Sequence, residues 1–440
     1  MKWIKVYYTI LISLSFFSNV GWTSDAQKLS FNQMTHLTLK NGLRICLKKS
    51  DLEPQQFDFE LFAVGGFSSL PVVDQPSAWL ATEIAWESGL NHLTGDKLAC
   101  DVDDHSVEIR MALQLFDRKI EASGPILELP YCLKLVRLLF TAAQFNQAGM
   151  KEALAHARRH LEHQFEISQL TGEQTSLKVN LREWSVTAPF HPSDLGKVEL
   201  TKAEKIFKHF FSNPAEFTLA LVGDFNPEEI IPVLEQSLGS LPSFPINQYH
   251  QPRPPPFPEG ITKKEFAGVN RYRQNHTRLT FPLCAKTTNP IALDLLCLIL
   301  KQELTSGTNL GILQSTYLNI SYSFPLFPCV DPLWLVIKFS SPVHETSSIC
   351  QEILRKMVTI KQEGVLQKRI KSGLEELVKK RESLCNNAAV LALIADYYRA
   401  GWEMNQLSPS LNDNQEKELL KALLGCYPDL TQYSIISLHP

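Results

Sequence analysis

A chain of 440 residues with 44% apolar and 20% charged side chains can bury about two to three domain cores. Its 43 basic and 46 acidic residues leave a formal net charge of -3. They form no long block of one sign, which excludes the electrostatic footprint of a general nucleic-acid or anionic-lipid binder. The nine cysteines, at positions 46, 100, 132, 284, 297, 329, 350, 385 and 426, show no Cys-x-x-Cys pair and no paired metal spacing. They read as small buried apolar side chains, with disulfide pairing left open.

The N-terminus opens with Lys2 and Lys5, an apolar run Val6–Phe17, and the small or polar residues Ser18, Asn19, Gly21, Thr23 and Ser24. A charged start and an apolar stretch too short to span a bilayer predict a secretory signal peptide over residues 1–24. Trp22 interrupts the small residues, so an uncleaved membrane anchor is the alternative. The absence of arginine argues against a mitochondrial presequence.

Thr35–Lys48 predicts a hairpin turning at Asn41-Gly42. A buried strand follows at Phe57–Val64. A glycine turn at Gly65-Gly66, a proline-containing loop and a small-residue helix then run to Leu90. A short helix is expected over Thr94–Cys100, with strands over Ser106–Leu113 and Asp117–Ala122. From Ile126 to Trp184 the apolar period becomes helical. A helix over Lys202–Phe211 leads to the continuous apolar strand Phe217–Val222 and a second helix. Asn226 is the N-cap of that helix, Pro227 its first residue, Glu228 and Glu229 fill the first turn, and Gly239 stops it.

The proline-rich stretch Pro242–Pro258 predicts a stiff interdomain linker, 245–260, between units 30–244 and 261–440. The second block repeats the grammar of the first. Strands near Ile261–Phe266 and Arg278–Phe281 precede an apolar helix Ile291–Leu304. Strands near Tyr317–Ser323 and Leu333–Phe339 precede helices over Thr346–Gln362, Gly364–Ser383, Leu391–Ala400 and Asn414–Leu424, with a closing strand Tyr433–Leu438. Strands followed by helices, twice over, predict an α+β fold of two tandem domains.

Three stretches carry a family resemblance: Thr38–Arg44 (TLKNGLR), the glycine turn FAVGGFSSLP, and FTLALVGDFNPEEIIPVLEQSLGSLPS at the end of the first block. They resemble the pitrilysin/insulinase zinc peptidases, and most closely the half of the long bacterial periplasmic members that lacks the metal motif. The resemblance implies two insulinase-like α+β domains, each a mainly antiparallel sheet packed against helices. In active relatives two such halves enclose a chamber where peptides are cut. It also implies export across the inner membrane to the bacterial periplasm.

The family motif is His-x-x-Glu-His on the helix after the glycine turn. Two histidines one turn apart bind Zn²⁺ and the glutamate acts on the metal-bound water. Aligned on Gly89, the ligand positions fall on Leu80 and Ile84 and the general-base position on Glu83. A frame shifted by one gives Trp79, Thr82 and Glu83. Neither frame supplies a histidine, so catalytic residues and metal ligands are expected to be absent at these positions. Leu80, Ala81, Ile84, Ala85 and Ser88 then form a packing face.

Further along, His156, His160 and His163 with Glu162 lie at helical spacing, but Arg159 stands where a motif histidine would be. This segment reads as a solvated helix face, with adventitious zinc binding as the alternative. Active relatives hold substrate with an Arg and a Tyr after a glycine turn. In LGILQSTYLNISYS (residues 310–323) Tyr317 or Tyr322 fills the tyrosine position and no arginine is present. A buried tyrosine with a paired hydroxyl is the competing reading.

The sequence therefore points to an exported insulinase-like protein that is the non-catalytic half or subunit of a two-part zinc metallopeptidase. It expects no cofactor in this chain, zinc in a partner chain, and extended peptides as ligands; a homodimer mate is the other partner considered. The alternatives are a stand-alone peptide-binding or scaffolding pseudo-peptidase and, third, an active metallopeptidase with displaced ligands.

Overall fold

The structure, a computed structural model, describes residues 31, 33–164, 168–188, 190–250, 252–267, 274–284, 289–306, 318–329, 331–407 and 413–439. The signal-peptide segment 1–24 and Tyr317 lie outside the described residues.

The first sheet contains β1 (Thr35–Thr38), β2 (Arg44–Lys49), β3 (Gln56–Val64), β4 (Glu108–Leu113), β5 (Asp117–Pro125) and β6 (Thr218–Gly223), in the order β1-β2-β6-β3-β5-β4. The second contains β7 (Ile261–Ala267), β8 (Asn275–Leu283), β9 (Leu318–Ser323), β10 (Leu333–Ser341) and β11 (Tyr433–His439), in the order β7-β11-β8-β10-β9. Setting aside β1, the two orders superpose strand for strand. In each, the last strand in sequence inserts beside the first and pairs with it in parallel, β6 with β2 and β11 with β7, while every other pairing is antiparallel. The duplication visible in the element order is thus a duplication of topology.

The predicted hairpin forms with Thr35 opposite Leu47 and Thr38 opposite Arg44. Its turn uses Gly42 at φ +86°, which glycine adopts without Cβ strain. Asn41 does more than tolerate a turn: its buried amide donates to the carbonyls of Leu238 (2.8 Å) and Leu241 (3.3 Å), pinning the hairpin to the end of the helix Pro227–Ser237. That helix starts as expected, with the Asn226 side chain accepting from the Glu228 amide.

Side chains alternate across the first sheet with period two. Phe57, Phe59, Leu61 and Ala63 of β3, with Leu219 and Leu221 of β6, enter a core shared with helices of the first block. Phe62, Ala220 and Val222 point the other way, into a separate cluster with Val390, Leu391, Ile394 and Ala395. Those residues belong to the helix Asn387–Arg399, which comes from the second block. The continuous apolar run of β6 follows from this arrangement, because both of its faces are covered.

The exchange is reciprocal. Helix Ser168–Asn180 of the first block lies on the second sheet against β11. Leu177 packs with Trp334 and Val336 of β10, and Glu173 pairs with Lys338 of β10 and Arg278 of β8. A Cβ on Gly172 would meet Leu438 of β11 at 2.9 Å, so this helix approaches the strand closely where it lacks a side chain. Each of these helices is the third of the run that follows the strands in its own block. Each caps its neighbour's sheet.

Residues 242–258 carry no helix or strand among the described residues. The segment is fastened at both ends: Asn247 donates its amide to Glu216 at 2.9 Å, the Tyr249 ring stacks on Phe210, and Phe257 meets the edge of Trp334.

Candidate functional site

The glycine turn after β3 is held by Arg118 of β5. Its guanidinium donates to the carbonyls of Val64 (2.7 Å), Gly65 (2.8 Å) and Phe210 (2.6 Å) and pairs with Glu216, with no solvent exposure. Glu216 in turn accepts from the Tyr249 hydroxyl at 2.8 Å. Gly65, at φ +99°, sits under the Tyr249 ring, where a Cβ would collide. Burying a charge this deeply requires such complete pairing. The turn is therefore a rigid entry to the helix that follows.

That helix is interrupted. Gln75–Trp79 forms a first turn, Leu80 at φ -93° and ψ -1° bends the axis while still bonded to Pro76 and Ile84, and Ala81–Ser88 continues until Gly89 at φ +96° ends it. Leu80 is 4% exposed and Ile84 fully buried, both within the first core. The two family ligand positions thus carry hydrocarbon that faces other hydrocarbon, which does not fit a zinc ion needing nitrogen, oxygen or sulfur donors. The shifted frame does no better: Trp79 stacks on Phe190 with ring centroids 4.8 Å apart, and Thr82 is buried.

Glu83 and, one turn further on, Glu87 flank this buried stripe and are partly exposed. Helix Gln147–Gln164 packs against the same segment. Gly149 makes the approach, because a Cβ there would strike Ser88, whose hydroxyl also accepts the Asn146 amide at 3.0 Å. Buried Ala81, Ala85, Ala153 and Ala157 keep both helices slim where they meet the core. Two turns beyond Gly149, His156 Nδ1 reaches Glu83 Oε1 at 3.1 Å and Glu87 Oε1 at 3.4 Å. The hydrogen bond that His156 donates to Glu83 raises the His156 pKa above its ordinary value, and burial, with the charge of Glu83 beside it, raises that of Glu87.

The structure therefore joins two residues that the sequence treats separately. Glu83, at the general-base position, and His156, read as part of a solvated face, are partners. Glu87 escaped the motif reading because it occupies no motif position; its spacing of four from Glu83 was the available signal. Among the described residues, Glu83, Glu87 and His156 form the one group whose ligand atoms converge closely enough to hold a metal. The side chain of His163 falls outside the described residues.

Tyr322 is 6% exposed, lines the second core and meets Phe324 edge-on at 5.7 Å. Burial holds its hydroxyl pKa well above the usual range.

Two α+β units of one topology, joined by exchanged helices, define an insulinase-like domain pair, here with hydrocarbon at Leu80 and Ile84. Residues 197–377 match the family model described as the peptidase M16 inactive domain. Over 260 residues, 57% of this chain, the sequence is 26% identical to a zinc protease PQQL-like protein of Arabidopsis thaliana, of which that alignment covers 24%. The fold is similar to the periplasmic protease PqqL of Escherichia coli (TM-score 0.65, 16% identity), covering 96% of this chain and 48% of that one. It is also similar to a peptidase M16 inactive domain from Pseudomonas fluorescens (TM-score 0.69, 14% identity), covering 93% of this chain and 98% of that one. Residues 197–377 thus match the peptidase M16 inactive-domain family, the sequence is homologous to a PQQL-like zinc protease, and the fold is that of the insulinase-like M16 domains. The chain spans about a quarter of the plant relative and about half of the bacterial protease. Among the described residues no helix is long and apolar enough to cross a membrane.

Proposed function

We propose that this chain is the exported, non-catalytic half or subunit of a two-part zinc peptidase, and that it lines the chamber and helps bind extended peptides. The observation that carries the reading is the burial of Leu80 and Ile84 in the first core, on a scaffold that is otherwise that of the family. Catalysis then belongs to a partner chain bearing His-x-x-Glu-His and zinc.

Peptide capture by strand addition needs a sheet edge with unpaired backbone groups. The outer edge of β4 supports this role, since β4 ends the first sheet and runs beside the helix Ala81–Ser88. A peptide paired there would pass the position at which a zinc-bearing half holds its metal.

Co-purification from the native host under mild conditions tests the proposal. The expected result is recovery of a zinc-bearing chain with His-x-x-Glu-His, whose peptide hydrolysis rises when this chain is added. Recovery of the lone chain, as a stable monomer or homodimer that binds peptides and never stimulates proteolysis, would overturn it in favour of a stand-alone binding protein.

A further inference from the structure

The helix that carries hydrocarbon at its buried motif positions carries donor atoms at partly exposed ones beside them. Glu83 and Glu87, four residues apart, present carboxylates to one side, and His156 Nδ1 approaches both from the neighbouring helix at 3.1 and 3.4 Å. All three ligand atoms lie within 4.8 Å of one another. Metal–ligand bonds of about 2.0–2.2 Å place adjacent donors roughly 3.0–3.5 Å apart in tetrahedral or octahedral geometry, so the two distances to His156 already match a coordination shell.

We propose that Glu83, Glu87 and His156 form a binding site for a divalent first-row transition cation, distinct in its ligands from the metal centre of the family.

The donor set decides the class of ion. Two carboxylates with one imidazole suit Zn²⁺, Co²⁺ or Mn²⁺, whereas an imidazole disfavours Mg²⁺ and Ca²⁺, which take oxygen ligands. The side chains are partly exposed, at 30% for Glu83, 20% for Glu87 and 42% for His156. Water can therefore complete the shell. The surroundings favour a cation: Glu152 and Asp96 add negative charge around Glu87, against Arg159 beside His156. The helix pair that presents the ligands is fixed by the close approach of Gly149 to Ser88, so the ligands converge without rearrangement. The site does not depend on the chain being a non-catalytic half, and it departs from the sequence expectation of a chain without a metal.

The test uses the full chain, stripped with chelator and titrated with Co²⁺ as the probe. Cobalt is chosen because thiolate ligation by any of the free cysteines would show as an intense near-ultraviolet charge-transfer band. The expected result is one Co²⁺ per chain without that band, competed by Zn²⁺, with a rise in Tm on binding. Loss of outer-shell partners alone weakens metal sites by about 10–100-fold, so Glu87→Gln and His156→Gln should each weaken binding at least about tenfold. His160→Gln should leave it unchanged. Circular dichroism of each variant confirms that the helices remain. Absence of stoichiometric binding, a thiolate band, or wild-type affinity in both Glu87→Gln and His156→Gln would overturn the proposal and leave His156 as an ion-pair partner of the two glutamates.

Discussion

Alanine at position 399 is expected to lower the unfolding free energy by about 3–5 kcal/mol, the usual cost of removing one partner from a buried ion cluster. Arg399 ends the exchanged helix Asn387–Arg399, and its guanidinium is 4% exposed. It pairs with Glu60 of β3, with Asp396 at 3.1 Å and with Asp117 of β5 at 3.6 Å, and it lies 4.8 Å from the centre of the Phe62 ring. Removing it leaves three buried carboxylates between the sheet and the helix, with Lys119 of β5 as the nearby cation, itself bonded to Glu121. The loss should be larger at pH 8 than at pH 5, because the orphaned acids accept protons at the lower pH. Combining Arg399→Met with Glu60→Gln should recover part of it, read as a coupling energy in urea unfolding. Equal stability of Arg399→Ala and the parent at pH 8 would show that the cluster does not hold the two units together.

The same cluster sets a pH dependence in the parent chain. Burial raises the carboxyls of Asp117 and Asp396 from 3.8 to about 7 each. A group whose folded pKa lies above its unfolded value contributes stability that is complete below the unfolded pKa and is lost as pH rises through the folded one. These two aspartates therefore make stability fall from about pH 4 to about pH 7, by up to about 1.4 kcal/mol per pH unit for each. Denaturant titrations across that window should show the decline, and Asp117→Asn should flatten it.

What the sequence conveys and what it withholds divide along physical lines. Local signals act through neighbours in the chain, and they were readable. Asn41-Gly42 made its turn, Asn226 capped its helix, and the periods of two and 3.6 located strands and helices within a few residues of their observed ends. Leu80 and Ile84 were correctly placed on a packing face by helical spacing alone. The exchange of Ser168–Asn180 and Asn387–Arg399 was not readable, because an apolar stripe states that a face is covered and not which sheet covers it. The near-continuous apolarity of Phe217–Val222, broken only by Thr218, was the available hint, since a strand covered on one face would alternate. The meeting of Glu83 with His156 was hidden for a related reason. It depends on Gly149 drawing together two helices far apart in the chain, a contact no local pattern encodes.

Restoring the family motif by Leu80→His and Ile84→His is expected to give an unfolded or severely destabilised chain, not a zinc peptidase. Each change gives up about 1.5–3 kcal/mol of apolar burial and adds about 1–3 kcal/mol for an imidazole buried without a partner. The two sites are neighbours, so the costs do not simply add, yet a total of about 5 kcal/mol or more rivals the whole stability of an ordinary domain. Zinc can offset such a loss only by binding the folded state. Ile84 is fully buried and Leu80 nearly so, both among the apolar side chains of the first core. Glu83→Gln, on the partly exposed side, should by contrast change stability by less than about 1 kcal/mol, as expected for a partly exposed ion pair. Thermal unfolding of the three proteins, with and without Zn²⁺, separates the cases. A folded double-histidine variant that gains Tm with zinc and cleaves peptide would mean that two side chains alone separate this chain from an active centre. The expected collapse would instead mean that this helix has been rebuilt as core, with packing at the two positions where the family motif carries metal ligands.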